Sequence, residues 1–177
     1  YWQKKNGGGA WIGLGWHACA VVKWLFGSPE EITISKIKTN KPEWKYDTDD
    51  LTVVNLLFHG NITGRIMTSV VCPQKKESLE VFGDNGYALL NRESLYIYDK
   101  HGEIIDKTTD DAVDWNSVYY SQLEDFILKT KSQDNDDLDF NMDVLNILTD
   151  KASSKGKKMK INNIFDFNLF MTLKNYE

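Results

Sequence analysis

Residues 10–26 form an almost unbroken apolar run, preceded by three glycines and closed by Gly27-Ser28-Pro29. That length and those boundaries predict a helix, because glycine tolerates a left-handed cap and proline cannot continue the turn. The pattern then changes to period two. Ile32 and Ile34, with 35–37 keeping the pattern imperfectly, mark a half-buried strand over 31–38; a polar connector with Pro42 and the acidic run Asp47, Asp49, Asp50 follows, and the β-rich stretches 51–58 and 62–72 flank a hairpin turn at His59-Gly60-Asn61. A strand over 78–82 leads through Gly83-Asp84-Asn85-Gly86 into 87–90, and a further hairpin joins 95–98 to 103–105 around Lys100-His101-Gly102. From Asp114 the period returns to helical, with Trp115, Val118, Tyr119, Phe126 and Ile127 on one stripe. After the polar run 132–137, Met142, Leu145, Ile147, Leu148 and Ala152 predict another helix, closed by Lys155-Gly156-Lys157, with a short strand at 159–161.

One helix, a series of hairpin-connected strands and then two helices define an α+β domain, an open, mostly antiparallel sheet with helices packed on one face. The tail, 162–177, carries Ile164, Phe165, Phe167, Leu169, Phe170 and Met171, too apolar for a free end. It either docks on the sheet or is an artefact at the C-terminus.

Composition narrows the class. The 177 residues suit one domain, and 41% hydrophobic residues mark it as globular. A net charge of −5 removes the positive field that nucleic acid or an anionic membrane surface would need. The run 10–26 is shorter than the ~20 apolar residues of a membrane span and holds His17 and Lys23, so neither a span nor a signal peptide is expected. Cys19 and Cys72 stand far apart, as expected of a reduced, cytoplasmic chain. A chain that opens at Tyr1 rather than Met is expected to be a fragment of a longer one.

The stretch Gly7-Gly8-Gly9-Ala10-Trp11-Ile12-Gly13-Leu14-Gly15-Trp16-His17 resembles the start of the first long helix in the C-terminal domain of the Gfo/Idh/MocA oxidoreductases. There a glycine run leads into Asp-x-Gly-x-His, with a second Asp three residues on. This chain departs from the pattern, with Gly13 and Ala20 at the two Asp positions. The unit over 53–64, the segment Leu79-Glu80-Val81-Phe82-Gly83-Asp84-Asn85-Gly86, the spacing Tyr119-Gln122-Leu123-Phe126 and Ser153-Ser154 with Gly156-Lys157 are similar to later parts of that family, so the resemblance covers 7–161. It implies a domain over 1–161 followed by the tail 162–177, with the open sheet of the dihydrodipicolinate reductase and glyceraldehyde-3-phosphate dehydrogenase type.

The resemblance also implies a function: the substrate-binding and oligomerisation half of an NAD(P)-dependent oxidoreductase acting on a sugar, cyclitol or nucleotide-sugar hydroxyl. NAD or NADP would be held by an N-terminal Rossmann domain absent from this chain, and the free sheet face would pair with another subunit. His17 would take the proton from the hydroxyl, a role suited to histidine as a residue type, whose unperturbed side chain exchanges protons near neutrality, at ~6.5. Gly8, Gly9, Gly13 and Trp16 would lie beside the substrate. The departure at Gly13 keeps open an alternative, a non-catalytic dimerisation or ligand-binding module descended from the same family.

Other features have simpler readings. Gly13-Leu14-Gly15-Trp16-His17-Ala18 matches a loose dinucleotide fingerprint, but it sits inside a predicted helix with no strand ahead of it. Trp11 and Trp24 are assigned to packing, and Trp2 and Trp16 to the substrate side. His59 and His101 occupy turns without neighbours at ligand spacing, so no metal site is expected. Asp134, Asp136, Asp137 and Asp139 lack the glycine and closing glutamate of a calcium loop and are read as a solvated linker.

Overall fold

The computed structural model describes residues 3, 5, 7–38, 46–109, 114–132 and 136–149, and the backbone of 165–172. The helix α1 (Ala10–Phe26) is followed by seven strands, β1 (Glu31–Ile37), β2 (Leu51–Phe58), β3 (Ile62–Ser69), β4 (Glu77–Gly83), β5 (Gly86–Asn91), β6 (Ser94–Asp99) and β7 (Ile104–Thr109). Two helices, α2 (Trp115–Ser132) and α3 (Asp136–Leu148), precede a last strand, β8 (Phe165–Thr172). All eight strands join one sheet in the order β1-β2-β3-β8-β4-β5-β6-β7. Every pairing is antiparallel except β3 with β8. The architecture is the α+β arrangement that the hydrophobic pattern predicts.

The core lies between the sheet and the pair α1 and α3. Strand alternation turns Thr52, Val54, Leu56 and Phe58 of β2 to one face, and Ile66 of β3 joins them. Trp11, Ala18, Cys19 and Val22 of α1 meet Val144, Ile147 and Leu148 of α3 in the same cluster. The Trp11 indole is fully buried, and its N–H donates to the Leu148 carbonyl at 2.7 Å, which satisfies one of the last carbonyls of α3. At the other end of α1, Lys23 Nζ reaches Asp143 Oδ2 at 2.5 Å and Ser28 Oγ at 2.9 Å. The hydrogen bond from Lys23 holds the Asp143 carboxyl below the usual carboxylate range.

On the opposite face of the sheet, Phe82, Tyr87 and Tyr98 stack across three neighbouring strands, with ring centroids 5.6 Å and 4.2 Å apart. Leu79 and Val81 point the other way, into the core.

Several expectations from the sequence are corrected. Trp24 does not pack: it is 76% exposed, because a run that is apolar all round does not reveal which side faces the sheet. The α2 stripe forms as a helix, yet Tyr119 and Phe126 are 63% and 65% exposed. In α3 the buried residues are Val144, Ile147 and Leu148, whereas Met142 and Leu145 face solvent. Asp136, Asp137 and Asp139 are not linker but the first turn of α3. Ala152, Lys155-Gly156-Lys157 and the strand expected at 159–161 lie outside the described residues, as do Trp2 and Asp134. The strand that closes the sheet is β8, from the apolar tail.

Candidate functional site

Helix geometry sorts α1 into two faces. Ala10, Trp11, Leu14, Gly15, Ala18, Cys19 and Val22 are buried. Gly13, His17, Ala20 and Trp24, spaced by four, three and four residues, form a stripe on the other side. His17 is exposed there, and its imidazole makes no hydrogen bond among the described residues. Gly13 and Ala20 offer it no acceptor. Of the four stripe residues, His17 and Trp24 are exposed, Gly13 is half-buried, and Ala20 also packs against the core cluster.

The glycine run has a different setting. Gly9 takes φ +119 and lies against Asp49, whose carboxylate a Cβ at position 9 would strike. Asp49 caps the helix from a distant segment: its backbone carbonyl accepts the Ala10 N–H at 2.9 Å, and its Oδ2 accepts the Trp11 N–H at 2.8 Å and the Thr52 hydroxyl at 2.6 Å. Two of the first free amides of α1 are therefore already engaged by Asp49, one by its backbone carbonyl and one by its carboxylate. Beside this cap, Gly8, Ile12, Lys36, Thr48 and Asp49 border a cavity of about 440 Å³. A second of about 560 Å³ continues past Ile12 and Lys36 to Leu148 and Thr149.

The structure consequently divides the residues selected from sequence. Gly8 borders the first cavity, and Gly9 is packed against Asp49. Gly13 and His17 share the outward stripe, while Trp16 is half-buried and leans on the core cluster. Neither cavity touches Gly13, Trp16 or His17.

Two residues escaped the sequence reading. Asp49 and Asp50 read as part of a polar connector, yet Asp49 caps α1 and Asp50 is fully buried, accepting a hydrogen bond from the Tyr46 hydroxyl. The only signal for them was an acidic pair directly before a strand.

The loose dinucleotide fingerprint lies wholly inside α1, so its glycines form no phosphate-cradling turn. Gly15 is there for packing: a Cβ would stand 2.5 Å from the Trp11 ring. The described residues do not fit a nicotinamide dinucleotide. Nor do any three of His, Cys, Asp or Glu converge among them as a metal site would require; His59 meets only Glu30, at 3.3 Å. Cys19 and Cys72 are both free thiols. No helix among the described residues is long and apolar enough to cross a membrane.

An outward histidine on a glycine-led helix, over an open sheet covered on one face, defines a domain that can be compared with others. The chain belongs to the GFO/IDH/MocA C-terminal domain family, whose model matches residues 1–89, just over half of it. Solved structures share the fold at low identity. UDP-N-acetylglucosamine 3-dehydrogenase GnnA from Acidithiobacillus ferrooxidans is 17% identical with a TM-score of 0.60, over 80% of this chain and 45% of that one. GenD2 from gentamicin A biosynthesis, solved in complex with NAD, is 21% identical with a TM-score of 0.62, over 92% and 51%. Levoglucosan dehydrogenase, solved with NADH and levoglucosan, is 14% identical with a TM-score of 0.63, over 85% and 50%. The chain thus spans about half the length of these proteins. No curated protein matches it.

Proposed function

We propose that this chain is the substrate-binding and oligomerisation domain of a cytoplasmic NAD(P)-dependent oxidoreductase acting on a sugar, cyclitol or nucleotide-sugar hydroxyl. The observation that carries the reading is the exposed His17, presented on the free face of α1 inside the segment that the family model matches. In that role His17 takes the proton as hydride leaves the same carbon. Gly13 and Ala20 leave room beside it, Trp16 backs it, and Gly8 and Gly9 lie at the helix start. The cofactor belongs to an N-terminal Rossmann domain. The stacked Phe82, Tyr87 and Tyr98 support a subunit contact through the free sheet face. Neither nucleic acid nor membrane is a partner on this reading.

A second reading has its own support. Gly13 and Ala20, at the two positions where the family pattern has Asp, bring no side chain that could orient His17, which favours a non-catalytic ligand-binding or dimerisation module. The discriminating experiment follows reduced cofactor at 340 nm in the full-length parent with a panel of polyols and sugars, beside His17→Ala. Turnover that is lost in His17→Ala supports the dehydrogenase. Cofactor binding without turnover on any substrate supports the module.

A further inference from the structure

The sheet is continuous only through its last strand. On one side β8 runs parallel to β3, from Ile62↔Phe165 to Ser69↔Thr172. On the other it runs antiparallel to β4, from Glu77↔Met171 to Phe82↔Asp166. β3 and β4 are consecutive in the chain but do not pair with each other, because β8 lies between them. Every other ladder belongs wholly to one half, β1-β2-β3 or β4-β5-β6-β7.

The helical layer follows that division except at β4. α1 packs on α3, β2, β3 and β8, and β4 adds Leu79 and Val81 to that core. The strands β5 to β7 contribute no residue to the core cluster. The connection to β8 is long: sixteen residues, 149–164, separate it from the end of α3. Such a length can span up to ~50 Å when extended, so β8 can leave its place without unwinding α3.

We propose that β8 is a displaceable keystone strand. When it leaves, the two ladders that join the halves are lost and none within either half is broken. β4–β7 then comes free as one unit, giving up only the Leu79 and Val81 contacts with the core, while α1, α3 and β1–β3 stay folded. The slot between β3 and β4 is in effect a strand-accepting site, and its second occupant is the 165–172 segment of another copy of this chain. Such an exchange keeps every main-chain hydrogen bond of the native ladders and requires only that the donor's slot open.

Native-state hydrogen exchange on the full chain tests this directly. The expected result is a shared sub-global opening, in which the amides of β8 and β4–β7 lose protection together and those of α1, α3, β2 and β3 remain at least ~10-fold better protected. Asn168→Pro, which removes a donor from a strand paired on both sides, should lower protection in β4–β8 and leave α1 and β2 unchanged. Should that variant fail to fold, the unmodified chain still decides. A labelled peptide of residues 165–172 should enter the full chain no faster than β8 opens. A single opening that includes all elements, protection of β4–β7 that survives β8 exchange, or no peptide uptake would each overturn the proposal.

Discussion

Gly9 and Asp49, forty residues apart in sequence, meet at the first turn of α1, where the absent side chain of one makes room for the carboxylate of the other. The contact explains a glycine whose φ of +119 an ordinary residue resists, and it joins the glycine run to the start of β2. Asp49→Ala should cost about 1–2 kcal/mol, the usual worth of a helix cap. Gly9→Ala should cost about 1–3 kcal/mol through backbone strain and the lost approach of Asp49. Urea denaturation of the two single variants and the double variant checks this. The double should be less unstable than the sum, because removing Asp49 also removes the collision.

Gly15 poses a contest between propensity and packing. In an open helix, replacing glycine by alanine gains about 1 kcal/mol. Here the new methyl meets the Trp11 ring at 2.5 Å, and overpacking costs about 1–3 kcal/mol. Gly15→Ala should therefore lower the melting temperature. In a Trp11→Leu background the same substitution should become neutral or stabilising.

The Lys23–Asp143 pair predicts a pH dependence with a definite sign. Because the folded-state pKa of Asp143 is depressed, the pair contributes stability at neutral pH and loses it as pH falls through that lowered value. Both partners retain contact with solvent, so the contribution should stay below about 1 kcal/mol. Melting curves of the parent chain and Asp143→Asn should differ slightly at pH 7 and converge in acid, below the usual carboxylate range. A gap that persists there would assign the effect to packing.

The two thiols should differ in reactivity. Burial pushes the Cys19 thiol up to about 12, leaving almost no thiolate at pH 8, whereas Cys72 is half-exposed. Titration of the native protein with a thiol reagent should modify Cys72 alone, and denaturation should release Cys19. Rapid labelling of both in the native state would contradict the burial of Cys19 against α3.

His17 should separate function from stability. Its side chain is exposed, so His17→Ala should change unfolding free energy by less than about 0.5 kcal/mol. The same substitution should abolish turnover in the full-length parent if His17 takes the substrate proton. A large loss of stability would reassign it to a structural role.

The sequence by itself determined the local elements and the fold class. The closed run Ala10–Phe26, the alternation through Leu51–Phe58 and the turn glycines at 83 and 86 each carry their period and their stop signals within a few residues, and they form as those signals require. The selection of His17 uses an equally local signal, its place after a glycine run. What only the tertiary structure decided are relationships between distant segments. The orientation of α1 was hidden because its run is apolar all round, so Trp24 turned outward and Gly15 inward. Asp49 read as a polar connector because its partners, the Trp11 amide and Gly9, lie about forty residues away. The place of the tail was equally invisible. An apolar strand pattern states that both faces must be covered, but the choice of the slot between β3 and β4 is made by main-chain hydrogen bonds, which every residue offers alike.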